Sequence, residues 1–301
     1  MKKTLFKTLP IALALGLCMS AVQGVYADIA HASRLQNDSG VLQDYHRLVP
    51  LAGGSNFRDM GGYLTQDNHR VRRGLLFRSG VMTWLSDADQ QYLAQLGVEQ
   101  VVDLRSSEEL EIYPNNWVRN AGIDYFNHDY SIMELLQNAN TQVSSESMPA
   151  LYGAMPVMLK PQLTQYFAYL VAGKAPIVVN CSAGQDRTGI ASALLLSVLG
   201  VPREVVLEDY LLSSDFRRPV VERGDLDLAA LASTNTFAAL MSRYPADETH
   251  VPPLMTADGV PYLQFALQKI EQDYGSVNGY LASELGVSEA DIATLKSLYL
   301  Q

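Results

Sequence analysis

Cysteine is nearly absent, with two in 301 residues, Cys18 and Cys181. That excludes a disulfide-knit scaffold. The five histidines (His31, His46, His69, His128, His250) are scattered, with no ligand spacing among them, so no metal site is expected. Cations are scarce too: 22 Lys+Arg stand against 32 Asp+Glu, for a formal charge of −10. Such a chain is poorly suited to gripping nucleic acid or an anionic membrane over a broad face, so any anionic ligand must be held by a local site. The Gly-Lys-Ser/Thr ending of the nucleotide-binding loop occurs nowhere. Beyond the N-terminus the apolar run Ile190 to Val201 is only about a dozen residues, too short for stable membrane insertion. What is present is ordinary for a globular protein: 48% hydrophobic, 18% charged and 9% aromatic residues. The length suffices for one large domain with a sizeable core.

The N-terminus reads as a secretory leader. Lys2, Lys3 and Lys7 precede an apolar run from Ile11 to about Met19, and Val25-Tyr26-Ala27 places aliphatic and small residues at the −3 and −1 positions. Lipid attachment at Cys18 is disfavoured because Leu17 is too large for the residue before it. Cleavage is expected near Ala27, leaving an exported protein, periplasmic or secreted, whose single domain is residues 28–301. Residues 1–27 carry three lysines and no acid, so the charge moves from −10 to −13. Cys181 is then the one cysteine. It cannot form an internal disulfide and is either an inert small hydrophobe or a reactive thiol.

Residues 28–50 are polar and mixed and read as an arm. The stretch from Gly53 to Tyr63 is turn-rich. Leu75–Ser79 reads as a strand, Ser86-Asp87-Ala88-Asp89 as a helix start with Gly97 as its stop, and Val101–Leu104 as the next strand. Strand, helix and strand with short links imply a parallel βαβ unit. Periodicity fades from His128 to Met155, and residues 138–147 read as a polar surface loop. A helix is expected from about Pro156 to Val171, then a buried strand over Pro176–Asn180, a helix after Thr188, and another from Pro202 to about Leu212. Residues 220–260 alternate helical pieces with loops, and helices close the chain near 261–274 and 288–299. The fold class that fits is α/β, a central and mostly parallel sheet flanked by helices, with a helical C-terminal elaboration.

The chemistry lies in Cys181-Ser182-Ala183-Gly184-Gln185-Asp186-Arg187-Thr188-Gly189, between a buried strand and a helix. Successive backbone N–H groups entering a helix make a concave nest for an anion, here Ser182, Ala183, Gly184 and Gln185. The same groups favour the thiolate of a cysteine at the floor. The planar fork of Arg187 can grip two phosphate oxygens, and Thr188 can offer its hydroxyl to the sulfur. Together these suit phosphoryl transfer through a phosphocysteine, with no cofactor.

Cys-x5-Arg-[Ser/Thr] resembles the signature of protein tyrosine and dual-specificity phosphatases. The wider set, Asn56-Phe57-Arg58-Asp59, Gly61-Gly62, Arg73-Gly74-Leu75-Leu76-Phe77-Arg78-Ser79, Val102-Asp103-Leu104-Arg105 and Gly184-x-Asp186-Arg187-Thr188-Gly189, is similar to the bacterial tyrosine-phosphatase-like family. That family includes secreted mycobacterial and listerial enzymes, and the similarity spans roughly residues 50–215. It implies a phosphatase fold and a cofactor-free activity on phosphotyrosine, sometimes also on phosphoserine, phosphothreonine or phosphoinositides. It makes Asp186 the candidate proton donor. On the residues themselves, Asp186 could instead pair with Arg58 or another basic residue and only shape the loop, Asp59 and Asp103 are the rival donors, and Arg58 and Arg105 read as structural ion-pair residues rather than substrate contacts. Two positions depart from the family pattern: Asn180 stands where a histidine is usual and Gln185 where a lysine is frequent, so two cations are missing from the loop.

Other readings remain open at this point. Asn180-Cys181-Ser182-Ala183-Gly184 is one glycine short of a serine-hydrolase elbow, with Ser182 as nucleophile. Asn180 and Gln185 are compatible with a pocket that binds phosphate without turnover. A thiol redox role would need Cys181 but not Arg187. Tyr130, Tyr152 and Tyr210 read as packing residues, one of which could line an aromatic pocket.

Overall fold

Five short strands make one sheet: β1 (Arg58–Asp59), β2 (Leu76–Ser79), β3 (Gln100–Asp103), β4 (Asp124–Asn127) and β5 (Ile177–Asn180). These come from a computed structural model that describes residues 47–133, 147–244, 251 and 254–301. The expected leader, most of the 28–50 arm and nearly all of the 138–147 loop lie outside the described residues. The spatial order is β1-β2-β5-β3-β4, parallel throughout except that β1 runs antiparallel to β2. The helix between β2 and β3 is α1 (Asp87–Gln95), opened by a Ser86–Asp89 capping box. The expected βαβ unit is present, but β5 inserts between its strands: Leu76 and Gln100 both register with Ile177. The central strand is the one that delivers Cys181.

Alternation along the strands sorts the core onto two faces. Phe77, Val101 and Val178 point to one side, against Phe57, Leu93, Val98, Trp117 and Val118. Leu76, Val102, Ile177 and Val179 point to the other, the larger apolar cluster. On the first side lie α1 and α3 (Asn116–Asn120), which follows α2 (Ser107–Ile112). The second side is built from α4 (Met148–Met158), α5 (Lys160–Val171), α6 (Asp186–Val198) and α7 (Arg203–Leu211). Four short helices follow: α8 (Ser213–Phe216), α9 (Pro219–Arg223), α10 (Leu228–Leu231) and α11 (Thr236–Met241). The chain closes with α12 (Tyr262–Tyr274), α13 (Val277–Leu285) and α14 (Glu289–Tyr299). Helix α6 is apolar on nearly every side and is the buried axis of this face. None of the helices among the described residues is long and apolar enough to cross a membrane.

The helix expected from Pro156 is in fact two. Pro149 and Pro161 occupy the first turns of α4 and α5, where proline costs nothing, while Pro156 sits inside α4. The break falls at Leu159. Strand β4 escapes sequence reading because Asp-Tyr-Phe-Asn is a partly exposed edge without clean alternation.

Candidate active site

Strand β5 ends at Asn180 and α6 begins at Asp186, so Cys181–Gln185 must turn between them. The carbonyls of this turn are drawn outward. Ser182 O accepts from Val81 N at 2.8 Å, and Asn56 Nδ2 donates to Ala183 O at 3.1 Å and to Gly184 O at 2.9 Å. Arg78 Nη2 also donates to Gly184 O, at 2.8 Å. In a trans peptide the N–H of the next residue points opposite to the carbonyl. Tying back the carbonyls of 182, 183 and 184 therefore turns the N–H groups of 183, 184 and 185 inward, forming the anion nest. Gly184 is essential to this path: its φ is +66°, and a Cβ there would come within 2.5 Å of Gly80 N.

Behind the loop lies a buried charged cluster. Arg78 pairs with Asp209 Oδ2, and Arg58 Nη2 donates to Asp209 O at 2.8 Å. All three side chains are essentially excluded from water. Burial opposes ionisation of Asp209, but the charges of Arg78 and Arg58 outweigh it and hold its carboxyl down at about 2. Burial, helped by the charge of Arg78, brings Arg58 down to about 10. Arg58 is thus structural.

Cys181 is a free thiol only 1% exposed. Arg187 stands at the loop's far end, gripped in a fork by Glu109 of α2: Nη1–Oε2 and Nη2–Oε1 are both 2.6 Å. Nη1 also reaches Leu104 O (3.1 Å) and Tyr130 Oη (2.8 Å). These bonds consume Nη1 and one hydrogen of Nη2. The Nε hydrogen and the second Nη2 hydrogen have no partner among the described residues and remain for an anion. Ser182 Oγ donates to Glu109 Oε1 at 2.5 Å, and Ser106 N to Oε2 at 2.8 Å. Burial alone would raise the carboxyl of Glu109, yet the Arg187 charge and these bonds hold it at about 2. Arg187 is shifted the other way. Burial opposes its charge, but Glu109, then Tyr130 and the nearby Cys181, raise it well above its ordinary value.

Asp186 opens α6. Its Oδ1 accepts from the Tyr152 hydroxyl and, at 3.3 Å, from Gln185 Nε2. Gln185 Oε1 accepts from Arg217 Nη1 at 2.7 Å, and Arg217 is itself paired with Glu222 at 2.7 Å. A cation therefore does approach position 185, brought by a residue after α8.

The two rival donors are consumed elsewhere. Asp59 is buried and accepts from Gly61 N (2.6 Å) and Gly74 N (2.9 Å), locking a turn. Asp103 is buried under Arg105, with Arg105 Nε at 2.8 Å from Oδ1 and Nη2 at 2.5 Å from Oδ2. Thr188 Oγ1 is directed to Ser79 O at a long 3.4 Å rather than to the sulfur. The Asn180 side chain is buried, and neither its oxygen nor its nitrogen has a partner among the described residues. Ser182 spends its hydroxyl on a carboxylate already paired with Arg187, and among the described residues no imidazole bonds to it as a hydrolase nucleophile would require. No group of three or more His, Cys, Asp or Glu that could hold a metal ion occurs among the described residues.

The tyrosine phosphatase family model matches residues 49–301. The chain belongs to the tyrosine phosphatase family. It is similar to a putative tyrosine-protein phosphatase of Cupriavidus necator, 31% identical over 252 residues, covering 82% of this chain and 86% of the relative. A triple specificity protein phosphatase, PtpB, of Mycobacterium tuberculosis is 30% identical over 292 residues, with coverages of 83% and 98%. A tyrosine-protein phosphatase of Nostoc commune is 30% identical over 304 residues, with coverages of 98% and 97%. This phosphatase acts on phosphorylated substrates, and the nest beside Cys181 is the part of the fold suited to a phosphate.

Glu109, Asp209 and Arg217 are site residues that sequence reading missed, and Tyr130, Tyr152 and Tyr210 are ones it left as packing. Only Glu109 had a legible signal, as the fourth residue of the Ser106-x-x-Glu109 capping box.

Proposed function

We propose that this phosphatase hydrolyses phosphotyrosine, and secondarily other phosphomonoesters, through a phosphocysteine on Cys181. The observation that carries the reading is the Arg187 fork, fixed by Glu109, with two donors still open beside a deeply set thiol. Depth favours an aryl ester, whose phosphate stands far from the peptide backbone. The Cys181 thiolate attacks phosphorus, forming the P–S bond as the P–O bond to the phenol breaks. Asp186 gives its proton to the departing oxygen. A water then attacks phosphorus, Asp186 takes the water's proton, and the P–S bond breaks to return the thiolate and release phosphate. The loop N–H groups and Arg187 follow the charge on the equatorial oxygens throughout. Export on the leader ending near Ala27 is part of this proposal.

Turnover of 4-nitrophenyl phosphate tests it. Cys181→Ser and Arg187→Ala should each remove activity by at least about a hundredfold, the former while still binding a phosphotyrosine peptide. Ser182→Ala should keep most activity; its loss, with Cys181→Ser still active, would instead point to a serine hydrolase.

A further inference from the structure

Tyr152 of α4 is buried, its ring edge-on to Tyr210 of α7 (centroids 6.0 Å apart) and tilted against Tyr262 of α12 (5.7 Å). It cannot swing away without opening the core. Its hydroxyl lies 2.6 Å from that of Tyr210 and bonds Asp186 Oδ1. A phenol has one proton. If Tyr152 gives its proton to Asp186, Tyr210 must donate to Tyr152, so the chain runs Tyr210 to Tyr152 to Asp186. Burial first, and the charge of Asp186 next, push both phenols well above their ordinary value, so neither loses its proton at working pH.

The second donor to Oδ1 is Gln185 Nε2, and the amide's orientation is forced: Arg217 can only donate, so Oε1 faces Arg217 and Nε2 faces Asp186. Both lone pairs of Oδ1 are thereby engaged, while Oδ2 has no partner among the described residues. Arg217, whose charge the Asp186 carboxylate supports from nearby, is already paired with Glu222.

We propose that Tyr152 is a positioning residue for Asp186: backed by Tyr210 and assisted by Gln185, it pins Oδ1 and so confines the transferable proton to Oδ2. This rests on Asp186 being the proton donor. It also gives Gln185 a purpose that a lysine could not serve, since a lysine would repel Arg217.

The test compares kcat/KM, which covers expulsion of the leaving group, for phenyl phosphate and 4-nitrophenyl phosphate. Phenolate is the poorer leaving group and needs the proton more. Tyr152→Phe is expected to lose about tenfold on phenyl phosphate and much less on 4-nitrophenyl phosphate, the same pattern as Asp186→Asn but smaller. Tyr210→Phe, which removes only the outer donor, should show a weaker version and guards against misfolding of the first variant. Equal losses on both substrates, or none, in Tyr152→Phe and Tyr210→Phe would overturn the positioning role while a leaving-group-dependent Asp186→Asn left the donor reading intact. An Asp186→Asn without leaving-group dependence would overturn both.

Discussion

At the scale of single residues, one buried carboxylate organises the candidate site. Glu109 is buried and holds Arg187, Ser182 and the N-cap of its own helix at once. Removing one member of a buried ion pair strands the other, which costs about 3–5 kcal/mol when the survivor stays buried. Arg187 keeps some exposure, 12% of its side chain, so the lower end applies. Glu109→Ala should lower stability by about 3 kcal/mol in urea unfolding and raise KM for 4-nitrophenyl phosphate, because the fork is no longer aimed. An unchanged KM would show that Arg187 finds its own geometry. Asn180, with no side-chain hydrogen bond among the described residues, is the converse case: a buried polar residue in register with Ser79 and Asp103.

At the scale of elements, two strand ends and a helix meet at one loop. Strand β5 delivers the cysteine, β2 supplies Arg78 and the turn at Gly80, and α7 supplies Asp209 from below. The Asp209 carboxylate is what lets two guanidinium groups share that space. In Asp209→Asn, Arg58 and Arg78 would face each other uncompensated, and a loss of about 3–5 kcal/mol is expected. Thermal unfolding measures it. The loop carbonyl held by Arg78 should loosen too, so activity is expected to fall before the protein melts. A melting temperature equal to wild type would mean that the cluster relaxes into water.

At the scale of the whole molecule, pH reports the same two carboxylates together. Glu109 and Asp209 each lie at about 2 when folded, against ordinary values of 4.5 and 3.8. A depressed folded value stabilises the protein above the unfolded value, and that stabilisation drains away as pH falls through the interval. The urea midpoint should therefore hold steady near neutrality and decline between about pH 4.5 and 2. The alkaline edge has the opposite sign. Burial raises Tyr113 and Tyr299 from 10.0 to about 12, so their contribution is present below pH 10 and is lost as the pH climbs toward 12. A midpoint that drifts steadily from pH 8 to 5 would contradict this. Overall the chain is acidic, with a formal charge of −10, so affinity for an anion depends on the local group of Arg187 and the loop N–H donors.

The order of residues along the chain was enough to specify the loop from Cys181 to Thr188, the parallel strands around it and the caps of α1. Each of these depends on neighbours a few positions apart, where spacing and chemistry are printed directly. The partners were another matter. Arg187 meets Glu109 across 78 positions and Asp186 meets Tyr152 across 34, and nothing periodic links them. Which carboxylate faces which guanidinium is set by how α2, α4 and α7 pack on the sheet, and burial then makes those meetings obligatory because an unpaired charge there is too costly. The same logic bears on the proposed proton donor: Asp59, Asp103 and Asp186 look alike in sequence, and only packing tied the first two to backbone and to Arg105 and left Asp186 with an oxygen that has no partner among the described residues.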